Sequence, residues 1–225
     1  MNGLKKIAAC CAVLVLVLVF AANVRAEPKN HADLLQNEEY KDSYEQYETV
    51  MAEAKERLSA EEYARLKDAC EAMIARDAAA GVKEGENEAD AYSLAYATAN
   101  EHVDKELTFD WLRKNAVGIQ GFYAFENKAL GGYMTVQEGG DPGVWAIAVY
   151  VTQKHEPFNS GELEGEGTLD GGRVAVNYGN DDAAATVTVA FDGETARVET
   201  SGAFKESGWL GANVAIDGEY TREKK

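Results

Sequence analysis

Residues 161–178 read GELEGEGTLDGGRVAVNY. Asp170-Gly171-Gly172 interrupts two runs of strand character. Glycine accepts the positive φ of a type I′ turn, so the stretch predicts a tight β-hairpin. On its second arm Val174, Val176 and Tyr178 alternate with Ala175 and Asn177, the period of a strand with one buried face. On its first arm Gly161, Gly165 and Gly167 fall at close spacing, where they permit the sharp coiling of a small barrel. Glu162, Glu164 and Glu166 alternate with those glycines and share the opposite face, as expected of a solvated strand.

The same grammar extends in both directions. Strands are predicted at residues 119–125, 133–138, 144–153, 162–169, 173–178, 184–191, 195–200 and 213–220. The connections carry turn chemistry: Gly131-Gly132, Gly139-Gly140-Asp141-Pro142-Gly143, Gly179-Asn180-Asp181 and Asp192-Gly193. Eight short antiparallel strands predict a closed barrel or a sandwich. The barrel is preferred because nearly every connection is hairpin-length, and closure removes exposed strand edges.

Upstream of Ala116 the chain changes character. Residues 29–115 contain no proline and only Gly81 and Gly85. Three helices are predicted there. The first spans 33–58, with Leu34, Leu35, Tyr40, Tyr44, Tyr47, Val50, Met51 and Ala54 mostly three or four apart. Ser59-Ala60-Glu61-Glu62 fits a capping box that opens a second helix through Tyr63, Leu66, Ala69, Cys70, Met73 and Ile74, ending before Gly81. The third covers about 88–113, with Tyr92, Tyr96, Ala99, Val103, Leu107 and Trp111 as its buried face. The expected fold class is α+β: a three-helix segment at 27–115, then an antiparallel eight-stranded barrel or sandwich at 116–225.

Residues 1–26 read as a secretory signal peptide. Lys5 and Lys6 precede an apolar run at 7–22, and Val24 and Ala26 occupy the positions a signal peptidase reads. The run is shorter than the ~20 residues a spanning helix needs. The expectation is a periplasmic or secreted protein with no stable membrane anchor after cleavage. Cleavage would remove Lys5, Lys6 and Arg25 and no acid, carrying the net charge from −17 to −20. Such a charge repels nucleic acid and anionic membranes and favours cationic partners. Cys10 and Cys11 would leave too. Cys70 then stands alone, with no disulfide to support the fold.

Groups able to do chemistry are sparse. His31, His102 and His155 are too far apart in sequence for a zinc motif, and His102 has only Glu106 one turn along its helix. Asp141, Asp181 and Asp182 lack a calcium-loop pattern. No serine has a nucleophile-elbow context. No catalytic, metal-binding or cofactor-binding residue is assigned, and an enzyme is not expected.

Residues 58–77 carry Leu58-Ser59, then Leu66-Lys67, Ala69, Ala72 and Arg76-Asp77. This pattern resembles the second-helix signature of the LprI-type lysozyme-inhibitor N-terminal family. Cys70 stands where the family has Gln, and Met73 where it has Trp. In the β half, Gly121-Phe122-Tyr123 and the stretches 161–167 and 211–220 resemble the small β domain that follows such helical domains in some exported bacterial proteins. The resemblance implies an inhibitor acting by protein–protein binding, with cationic lysozyme as the partner.

The expected function is therefore an exported acidic binding protein, with no cofactor. The loop residues proposed to touch a partner are His155, Phe158 and Ser160 in one connection, and Phe204 and Trp209 in another. Trp209 has an alternative role in closing the barrel floor. The alternative function is a barrel enclosing a small apolar ligand, with Ala146, Ala148, Ala184 and Ala190 facing inward, or a structural module of the envelope.

Overall fold

The computed structural model describes residues 28, 30–178, 185–202, 204 and 210–225. The expected signal segment, Ala184 and Trp209 lie outside them. Four helices precede eight strands: α1 His31–Leu34, α2 Glu38–Arg57, α3 Ala60–Glu84 and α4 Glu88–Lys114, then β1 Gly121–Glu126, β2 Leu130–Glu138, β3 Val144–Gln153, β4 Ser160–Asp170, β5 Arg173–Tyr178, β6 Ala185–Asp192, β7 Thr195–Thr200 and β8 Gly218–Glu223. Helices followed by a closed barrel make the fold α+β, as expected. The described residues fall into two compact units, one ending at Asp110 and one beginning at Trp111.

The three long helices each begin on a side-chain cap. The Asn37 side chain accepts from the Tyr40 amide and opens α2 after a break, so the first predicted helix is two pieces. Ser59 and Glu62 form the predicted capping box of α3. The Asn87 side chain accepts from the Asp90 amide at the start of α4. Helix α3 does not stop before Gly81. It runs on to Glu84, and Gly85 ends it at φ 102°. A Cβ on Gly81 would meet Ala91 at 3.0 Å and the Glu86 carboxylate. That glycine serves close approach, and the left-handed stop belongs to Gly85.

The helical core is one apolar cluster. Tyr40, Tyr47, Met51 and Ala54 of α2 meet Leu66, Cys70, Ile74 and Ala78 of α3, and Tyr96, Ala99, Val103 and Leu107 of α4. Trp111, expected on the buried face, is 43 % exposed, whereas Leu112 is fully buried. The buried position at this end of α4 is one residue later than expected.

The barrel is a meander, β1 to β8 in order, closed by β8 against β1. Its hairpins follow turn chemistry. Asp170 pairs with Arg173 across Gly171 at φ 54° and Gly172 at φ 76°, the two positive values a type I′ turn requires. Tyr123, Phe125, Met134, Val136, Ile147, Val149, Val151, Leu163, Val174, Val176, Val187, Val189, Val198 and Tyr220 fill the interior, joined by Phe204 and Ile216 from the β7–β8 connection. Ala146, Ala148 and Ala190 do not line it. They alternate with Ile147, Val149 and Val189, which point in, so the alanines face out and are half-buried.

The glycines of β4 make room for close neighbours. A Cβ on Gly165 would strike Tyr178 Oη at 2.7 Å, and one on Gly167 would strike Val174 Cγ1 at 2.8 Å. Strands β4 and β5 pair in regular register at Leu169↔Val174 and Asp170↔Arg173. Tyr178 donates to the Glu164 carbonyl at 3.0 Å. The last strand was expected at 213–220 and begins five residues later, at Gly218. Asn213 at φ 61° turns the chain, and the Asp217 carboxylate accepts from the Thr200 amide and hydroxyl, which holds 211–217 as a loop.

Candidate functional site

In a meander barrel, alternate connections gather at one end. Here that end collects the β1–β2 turn, the β3–β4 loop and the long β7–β8 connection. The two loops chosen from the sequence are thereby brought together. The Gly211 amide donates to the Ser160 carbonyl at 3.2 Å, and the Asn159 side-chain amide donates to the Ala212 carbonyl at 2.9 Å.

The β3–β4 loop is firmly held. The Gln153 amide donates to the Asn159 carbonyl at 2.9 Å, closing the loop at its neck. Lys154 turns toward the β1–β2 turn. Its backbone amide donates to the Ala129 carbonyl at 2.9 Å, and its ammonium donates to the Asn127 carbonyl at 2.7 Å and pairs with Glu126. The Phe158 amide donates back to the His155 carbonyl at 3.1 Å, a tight turn across the cis Glu156–Pro157 bond.

The result is an exposed aromatic on a braced support. Phe158 is 55 % exposed and sits at φ 53°, a region uncommon for any side chain except glycine and, to a lesser extent, Asn and Asp. His155, Glu156 and Ser160 surround it, all exposed. Phe204 has a different place. It is 2 % exposed and packs edge-on against Tyr178 at 5.8 Å within the barrel core. Burial and the nearby Glu164 push the Tyr178 hydroxyl up to about 12. Phe204 is therefore a plug of the barrel rather than part of the exposed end. Gln153, Lys154 and Asn159 brace the site and were not singled out from sequence. Their signal is polar residues bordering a proline-containing loop, a pattern too common to be read alone.

His31 Nδ1 lies 2.5 Å from Tyr40 Oη, and its ring packs edge-on against Tyr44 at 4.6 Å. Tyr47, Tyr92 and Tyr96 complete an aromatic cluster within the helical core. Cys70 is buried, and desolvation, with Glu106 and Glu71 nearby, pushes its thiol up to about 12. Glu162, Glu164 and Glu166 line the exposed outer face of β4. Among the described residues no group of three His, Cys, Asp or Glu side chains is arranged to hold a metal ion, and no helix is long and apolar enough to cross a membrane. Compared with family models, curated proteins and solved structures, the chain matches none.

Proposed function

We propose that this chain is an exported acidic protein that binds a cationic protein, and that it docks through the barrel end carrying Phe158. Lysozyme is the specific candidate, on the resemblance of residues 58–77 to the LprI-type signature. Residues 1–26 direct export and are removed. The observation that carries the reading is Phe158 itself. A large apolar side chain held out of the core, in an uncommon backbone conformation and on a loop braced from two sides, is preorganised for contact. Binding then sacrifices little conformational freedom. A single buried aromatic can supply much of an interface's affinity.

Charge supports the same reading. A net charge of −17, or −20 after export, speeds encounter with a basic partner and opposes nucleic acid or anionic lipid. The competing picture of a ligand-holding barrel finds less support, because branched and aromatic side chains pack the interior.

A lysis assay tests the proposal. Full-length protein, purified after export, should slow lysozyme digestion of bacterial walls at micromolar concentration, more strongly at low than at moderate salt. Undiminished lysis in both buffers would count against lysozyme as the partner.

A further inference from the structure

Three aromatic rings cross the outer wall of the barrel. Phe122 of β1 stacks on Tyr133 of β2, with centroids 5.5 Å apart and planes at 24°. Tyr133 in turn stacks on Tyr150 of β3, again at 5.5 Å and with planes at 28°. At the first end of this ladder the chain supplies its own cation. The Arg113 guanidinium carbon lies 4.0 Å from the Phe122 ring centroid, and Arg113 Nε donates to Glu223 at 2.9 Å. Glu223 is the residue paired with Phe122 on the neighbouring strand. An aromatic ring and the carboxylate beside it across one strand gap thus bind one guanidinium from two sides.

The second end of the ladder repeats the pairing. Tyr150 is the cross-strand partner of Glu162 on β4. Tyr150 is half-buried and Glu162 exposed, and Glu164 and Glu166 continue the acidic row. A carboxylate has two oxygens and accepts several hydrogen bonds at once, so a further donor can join whatever Glu162 already meets.

We propose that Tyr150 and Glu162 form a docking site for an arginine side chain of a cationic protein partner. The flat guanidinium stacks on a tyrosine ring and offers parallel N–H groups to a carboxylate, which a lysine ammonium does not. The overall negative charge draws such a partner in. Tyr150 lies three residues before Gln153, and Glu162 two after Ser160, so the site stands at the base of the hairpin whose loop carries Phe158. The proposal rests on the reading above that this hairpin meets a cationic protein.

The test is calorimetric titration of the full chain with hexa-arginine and with hexa-lysine. Hexa-arginine should bind about two- to fivefold more tightly, the size of an exposed cation–π contact. Tyr150→Leu and Glu162→Gln should each abolish that preference, while Tyr150→Phe should keep it. Thermal unfolding of each variant confirms that the barrel is intact. Equal binding of the two peptides to the unaltered chain, or a preference that survives both Tyr150→Leu and Glu162→Gln, would overturn the proposal. Lysozyme binding separates the two readings. If Phe158→Ala weakens it while Tyr150→Leu and Glu162→Gln do not, the arginine site fails and the Phe158 site stands. If lysozyme does not bind but the hexa-arginine preference holds, the reverse follows.

Discussion

Gly167 shows how a single residue sets the shape of the barrel. A methyl group there would press on the Ala175 backbone and on Val174, neither of which can swing aside. Gly167→Ala should therefore cost about 1–3 kcal/mol, the usual penalty for overpacking, read as a lower urea midpoint. Gly140 meets nothing within 4 Å, so Gly140→Ala should leave that midpoint within about 0.5 kcal/mol of its original value or slightly raise it. The glycine spacing in β4 was legible because a glycine inside a strand has few uses. The burial of Phe204 was not legible. Nothing local distinguishes an aromatic that protrudes from one that folds back into the barrel, and the Ser201 hydroxyl that receives the Phe204 amide is a contact of the fold. Cys70 gives a second residue-scale expectation. Buried and with its thiol pushed up to about 12, it should resist disulfide-exchange reagents at pH 8 and react promptly once urea unfolds the chain.

Elements were legible where their ends carry chemistry. Ser59 and Glu62 announce α3, and both reciprocal hydrogen bonds form. Ser59→Ala should lower stability by about 1 kcal/mol, measurable as a drop in thermal midpoint without loss of helix signal at room temperature. The far end of that helix misleads because Gly81 and Gly85 look alike in sequence. Only packing against Glu86 and Ala91 separates a glycine needed for close approach from one needed to stop a helix. Strand β8 was misplaced for a similar reason. Residues 213–217 have strand-like composition, yet the Asp217 carboxylate is committed to Thr200 of β7. A side chain bound to a distant strand leaves no trace in local alternation.

Cys70 and Tyr220 are buried and Tyr178 is half-buried, and all three are neutral when protonated. Burial and nearby carboxylates push Cys70 and Tyr178 up to about 12, and burial likewise raises Tyr220, whereas their ordinary values are 9.0 and 10.0. The folded chain keeps these protons where the unfolded chain releases them. Their contribution to stability is therefore complete below about pH 9 and is lost as pH rises toward 12. Urea midpoints should hold steady from pH 7 to 9 and fall steeply by pH 11. The α+β architecture itself was legible because glycine and proline content separates the helical half from the barrel half, and hairpin-length connections favour a meander. The meeting of the Phe158 loop with residues 210–214 was not, since it depends on which connections a closed barrel gathers at one end. The central claim is that this end, through Phe158, grips a cationic protein. Its most direct test is a binding titration of lysozyme against the full chain and against Phe158→Ala at low salt. Micromolar or tighter binding that weakens by about tenfold or more on the substitution is the expected result. Equal binding by the two proteins, or none by either, would contradict it.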